Sequence, residues 1–331
     1  MGEKRAKQTG HFPSLMVEAD TLGEAFHKAL IACYESGCRV ETPKHKLGVS
    51  LGFDSHITIN VKYPQKEPIL HKFGFVETDI GMIQYILEVT HGIHNLWKKD
   101  PNNTEDTKWG YTYNERFANQ LPFVFAKIKN DFEKKKRISG RDYFFSIWRA
   151  REDSILEQPD PPCLQNGQIR FIRDELDGEI YLNYLTSWRS RDEAKAWLEN
   201  NVAQTRMQKL LAEKISNMLG IKIEIGSYID TSTSLHIYGA YLEEGLDNLI
   251  ERMRRNPTTN FTMNLSDYLG DETRLKRIVS AQADYETKTG NKNAPEEVLK
   301  EKGYNLDTFP YPADWDSYPK EWDLMPNKDK L

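Results

Sequence analysis

The run PPCLQNGQIRFIRDELDGEIYLNYLTSWRSRD, residues 161–192, decides the fold class. Its two prolines fix their own backbone angles and bias the preceding residue towards extended structure, so Cys163 enters at a turn or a strand start. Asn166-Gly167 and Asp177-Gly178 have hairpin-turn composition and bracket Gln168 to Arg173. Ile180, Leu182 and Tyr184 alternate as a half-buried strand does. The pattern predicts two adjacent antiparallel strands.

On the C-terminal side, Ser190-x-x-Glu193 has capping-box spacing. Ala203, Met207, Leu210, Leu211, Ile215 and Met218 then line one face of a helix that stops at Gly220. Ile221–Ile225 and Ser234–Tyr238 read as two further strands, and Leu242–Arg254 as a helix. On the N-terminal side, Leu22, Ala25, Phe26, Ala29, Leu30 and Cys33 recur at helical spacing, which puts Cys33 in the core. A charged loop from Arg39 to His45 precedes two strands, Leu47–Leu51 and His56–Val61. Helices fit Gly81–Thr90, followed by a turn at residues 91–95, and Phe123–Lys136, whose basic end Lys134–Arg137 faces water and suits the helix dipole. A polar loop, Lys98–Lys108, separates them, and Tyr143–Trp148 reads as a buried strand at the core of a sheet.

Strands and helices in this order imply an α/β (α+β) single domain, a large mixed sheet packed with helices. We divide the chain into a loose tail at 1–13, a domain at 14–265, and a C-terminal extension at 266–331 that packs on the domain through its aromatics or acts as a lid.

With 331 residues the chain can bury a substantial core. Apolar residues make up 38% and charged residues 29%, and no apolar run reaches membrane-spanning length, so no membrane partner is expected. Forty-five basic against 50 acidic side chains leave a net charge of -5, which points away from nucleic acid and towards a small partner. Three cysteines without scaffold or zinc spacing, and an N-terminus without an apolar signal core, place the chain in a reducing, cytoplasmic compartment.

Five pieces occur in a telling order: Trp109-Gly110-Tyr111-Thr112-Tyr113, Gly140–Trp148 beginning Gly-Arg-Asp, Pro161-Pro162-Cys163, Arg189-Ser190-x-Asp192 followed by Asn200-Asn201, and His236-x-Tyr238. Together they resemble the thymidylate synthase and pyrimidine nucleotide hydroxymethylase family over roughly residues 20–250. The resemblance implies that family's fold, with a sheet-to-sheet homodimer and shared active sites. It also implies folate-dependent one-carbon transfer, from 5,10-methylenetetrahydrofolate to carbon 5 of a pyrimidine nucleoside 5′-monophosphate, with hydroxymethylation slightly favoured over methylation. A catalytically silent nucleotide-binding relative is the alternative.

Under the resemblance, Cys163 is the nucleophile that adds to carbon 6 and activates carbon 5. Tyr113 lies in the segment similar to the family's Gly-x-x-Tyr-Gly. Arg189 and Ser190 hold the phosphate, with Arg141 reaching in from the neighbouring subunit. An amide, Asn200 or Asn201, reads the base edge, while His236 and Tyr238 hold the sugar hydroxyl. Asp192 meets the folate. Read from the residues alone, Ser190 is equally a helix cap, Asp192 a helix-start carboxylate, and His236 and Tyr238 packed strand residues. The family's catalytic acid falls near Gln84 or Tyr85, neither of them acidic, and Glu88 lies one helical turn away. Leu164 stands where the family has a histidine, and Asp142 where it has a second arginine.

Overall fold

The computed structural model describes residues 8–44, 48–74, 79–92, 95, 110–155, 160–269 and 315. The central sheet has eight strands. Its main path runs β1 (Ser14–Ala19), β3 (Gly48–Val61), β9 (Glu224–Ile237), β7 (Ile180–Trp188), β6 (Leu164–Arg173) and β5 (Phe144–Ser146). Off this path, β2 (Cys38–Lys44) pairs with β3, and β8 (Arg191–Asp192) with β9. The sheet is mixed, because β1 runs parallel to β3, and both β7 and β8 run parallel to β9, while the remaining pairs are antiparallel. The expected mixed sheet packed with helices is present. A second, two-stranded sheet joins β4 (Leu70–His71) to β10 (Thr262–Met263).

Helices cover one face. α1 (Leu22–Ser36) is capped by Thr21, whose hydroxyl accepts the Glu24 N–H, and it packs its apolar stripe on β1 and β3. α2 (Asp79–His91) packs on α6 (Trp197–Leu219), which lies on β7 and β9. α6 ends at Gly220, whose φ of +65° is the left-handed cap geometry that glycine tolerates best. Three further helices, α3 (Tyr113–Phe117), α4 (Leu121–Lys135) and α5 (Ala150–Asp153), precede β6. α7 (Gly239–Glu243) and α8 (Leu246–Arg255) follow β9.

Several expectations change. The charged stretch Arg39–Lys44 is not a loop but part of the strand β2, because each of these residues pairs with β3. The two strands expected within 47–61 are one 14-residue strand, with an irregularity between Ser55 and Ile57. Likewise 221–225 and 234–238 are parts of the single strand β9, which starts at Glu224. Asn166-Gly167 is no turn; it lies inside β6, where a Cβ on Gly167 would come within 2.3 Å of the Phe145 ring. Asp177-Gly178 does turn, with Gly178 at φ +76°. β5 is the edge of the sheet, not its middle: Phe145 is buried while Phe144 is exposed. The expected helix Leu242–Arg254 is broken at Gly245, φ +102°. The loop 98–108 and most of the C-terminal extension lie outside the described residues, as do Ile93 and His94 of the turn after α2. Trp315 is described, and it is buried with its ring 5.6 Å from that of Phe125 on α4.

Candidate active site

The site lies where β6, β7 and β8 meet the start of α6. Extended backbone through Pro161-Pro162 delivers Cys163, whose carbonyl accepts the Arg189 N–H at 2.8 Å and so fastens the thiol-bearing residue to the end of β7. The Arg189 guanidinium folds back on the same turn: Nε donates to the Pro162 carbonyl at 3.0 Å and Nη2 to that of Pro161. Asp160 is 3.9 Å from Nη2. Burial pushes the Cys163 thiol pKa up, Arg189 pulls it down, Asp160 pushes it up, and Arg191 pulls it down.

Four tyrosines lie within electrostatic reach of that sulfur: Tyr85 on α2, Tyr111, Tyr113 and Tyr238. Burial raises all four, so they are neutral phenols at physiological pH. The Tyr113 ring meets Trp188 edge-on at 5.8 Å, and its hydroxyl faces the Leu164 N–H. Tyr238 packs edge-on against His236 at 4.8 Å and against Tyr241 at 5.6 Å. Tyr238, one residue past the end of β9, thus meets His236 ring to ring.

Asp192 is half-buried, and burial raises its carboxyl pKa. One oxygen accepts the N–H groups of Ala194 and Lys195, and the other accepts the Tyr241 hydroxyl at 2.7 Å. Asp192, not Ser190, thus closes the turn before α6. The capping box expected from Ser190 and Glu193 does not form, because α6 starts only at Trp197, with Ala196 at its N-cap. Glu193 is instead fully buried and its backbone N–H donates to the His236 carbonyl. Burial raises its carboxyl far above the ordinary range.

The two candidate amides separate. Asn201 is fully buried, and its Oδ1 accepts from Arg191 Nη1 at 3.0 Å and from the Tyr228 hydroxyl at 2.8 Å. Asn200 is half-buried and donates through Nδ2 to the Tyr85 hydroxyl at 2.8 Å, on the cysteine side. Glu88 is partly buried on α2, within electrostatic reach of Tyr85. Arg141 is exposed just before β5, its carbonyl accepting from Gln168. Ser190 is half-buried beside Arg189.

Sequence reasoning overlooked the support beneath these groups. Arg191 is buried, pairs with Asp230 at 2.7 Å, and lies 3.6 Å over the Trp188 ring. Asp230 also accepts from Thr186, Tyr228 and the Trp197 indole. The available signal was the polar run Tyr228-x-Asp230-x-Ser232, whose period of two continues the inward parity of a buried strand. Such polar groups stay inside only if paired.

No protein-family model and no curated protein matches the sequence. Among solved structures, the thermostable thymidylate synthase A from Bacillus subtilis is similar to this chain. Identity is 15%, the match covers 71% of this chain and 84% of that one, and the TM-score is 0.46.

Proposed function

We propose that this chain transfers a one-carbon unit from 5,10-methylenetetrahydrofolate to carbon 5 of a pyrimidine nucleoside 5′-monophosphate, using Cys163 as the nucleophile at carbon 6. The observation that carries the reading is the convergence on one thiol of four neutral phenols and two guanidinium groups. Aromatic walls suit a flat ring, phenols and an amide suit its polar edge, and arginine suits a phosphate. The sequence motifs point to the same chemistry.

In this reading Arg189 and Ser190 bind the phosphate, and Asn200 reads the ring edge. His236 and Tyr238 hold the sugar hydroxyl. Arg191, held by Asp230, keeps positive charge near Cys163 and favours its thiolate. Thiolate addition to carbon 6 leaves carbon 5 electron-rich and able to accept a one-carbon unit. Asp192 and the Tyr238–Tyr241 rings fit a flat heterocycle bearing N–H groups, since a carboxylate supplies acceptors and the rings supply apolar faces. When bound, the folate supplies the one-carbon unit. Glu88 and Tyr113 complete the proposed catalytic set.

We further propose a homodimer, with Arg141 serving the partner's phosphate site. Met16, Thr58, Thr231, Ser187, Asn166 and Ser146 are successive cross-strand neighbours, forming a partly exposed row across the sheet suited to face-to-face pairing.

The test is release of tritium from carbon 5 of dUMP, dCMP, UMP and CMP, with and without the folate, followed by product mass. We expect release that is lost in Cys163→Ser, and a product mass of the hydroxymethyl form; a methyl product would reverse that preference. No release from any substrate by the folded chain would end the enzymatic reading. One observation favours a second reading, a nucleotide-binding relative without turnover: burial holds the thiol protonated. That reading expects nucleotide binding that survives Cys163→Ser and weakens in Arg189→Ala.

A further inference from the structure

The sequence places no acid at Gln84 or Tyr85, and the structure gives Tyr85 a defined hydrogen-bond geometry. Its oxygen accepts from Asn200 Nδ2 at 2.8 Å, and Cys163, Arg191, Glu88 and Glu199 lie within its electrostatic reach. A phenol that already accepts from an amide has its own O–H left to donate. The amide, with one N–H spent on the phenol, presents its carbonyl oxygen as an acceptor. A donor and an acceptor therefore stand side by side, within electrostatic reach of the thiol.

We propose that Tyr85 donates its hydroxyl hydrogen bond to the exocyclic oxygen on carbon 4 of a uracil-type ring, while Asn200 Oδ1 accepts the ring N3–H. This rests on the proposed function and deepens it by naming the base. As the Cys163 sulfur bonds to carbon 6, the electron pair of the carbon 5–carbon 6 double bond moves towards carbon 5 and the adjacent carbonyl. The negative charge that reaches the carbon 4 oxygen is met by the Tyr85 O–H. No proton leaves the phenol and no additional reagent enters. A neutral phenol suits this position, since it donates a hydrogen bond without bringing negative charge of its own. Cytosine carries an amino donor on carbon 4, which would face the phenol donor.

The experiment titrates the full chain with dUMP and with 4-thio-dUMP, an analogue that keeps the N3–H but carries sulfur, a weaker acceptor, in place of the carbon 4 oxygen. Wild type, Tyr85→Phe and Asn200→Ala are compared by calorimetry and by tritium release. Losing one net hydrogen bond should weaken dUMP binding to Tyr85→Phe about tenfold. Binding of the 4-thio analogue should weaken by a smaller factor. In turnover, kcat should fall by more than KM rises, because the bond strengthens as charge develops. Equal binding of both ligands by wild type and Tyr85→Phe, with unchanged tritium release, would overturn the Tyr85 assignment and leave the proposed function standing. Failure of wild type to bind dUMP would overturn both. Should Tyr85→Phe not fold, Asn200→Ala keeps the phenol without its partner. It should cut the preference for dUMP over the analogue by a similar factor, and full retention of that preference would overturn the assignment.

Discussion

Cys163 carries opposing influences that can be separated by titration. Burial raises its pKa, and the Arg189 guanidinium is the strongest influence pulling it back down. Alkylation by iodoacetamide should therefore reach half its maximal rate above the ~8.5 of a free cysteine. Arg189→Ala should move that midpoint higher still, and a downward move would show that the guanidinium does not act on the sulfur. Away from the site, His27 and His71 form a buried relay. The Phe73 N–H donates to His71 Nδ1 at 3.3 Å, so His71 Nε2 carries the proton and donates to His27 Nδ1, also at 3.3 Å. His27 in turn faces the Met253 carbonyl. Burial, then the neighbouring His27 and Lys72, depress His71 to about 3. The unfolded chain binds the proton between that value and the ordinary ~6.5, so stability is complete above ~6.5 and is lost as pH falls towards 3. The slope should be about 1.4 kcal/mol per pH unit, read by urea unfolding at pH 7 and pH 5. A flat profile would mean that the relay takes up a proton without opening. Cys163 stood out in the sequence because prolines mark its backbone. The relay did not, because histidines 44 residues apart carry no local pattern.

Among the elements, α6 was readable because its apolar face repeats for six turns and a glycine ends it. β9 was split in two because Gly226 to Ser234 is polar enough to imitate a loop. What keeps that run in the sheet is tertiary: Asp230 receives Arg191, Thr186 and Trp197 from neighbouring segments. Only the folded arrangement supplies those partners. Asp230→Asn should leave the Arg191 guanidinium buried without its counter-ion and cost about 3–5 kcal/mol. Guanidinium unfolding measures the loss, and a cost below about 1 kcal/mol would assign the network little weight. The tyrosine cluster was likewise legible only in part: Tyr111, Tyr113 and Tyr238 lay in motifs, whereas Tyr85 comes from a separate helix.

For the whole molecule, the fold class was visible in the sequence, since alternating strands and helices leave few ways to bury both. Strand order was not, because β9 sits between β3 and β7 through contacts far apart in the chain. The position of the C-terminal region was also illegible beyond its aromatic composition. Trp315 itself rests against Phe125 on α4. Trp315→Ala should cost about 3–5 kcal/mol by the usual loss for a large core side chain, measured by chemical denaturation. No loss would mean that the indole contributes little to the folded body.

β9 has one further consequence. It is hydrogen-bonded along both flanks, to β3 on one side and to β7 and β8 on the other, and it continues as far as Ile237. Deuterium should therefore enter its amides last, at the rate of global unfolding, while α2 exchanges earlier through local opening. A site with one wall anchored so deeply cannot adapt to its guest from that side. Adjustment to ligand size is expected instead from α2, which meets the candidate site through the hydrogen bond between Tyr85 and Asn200.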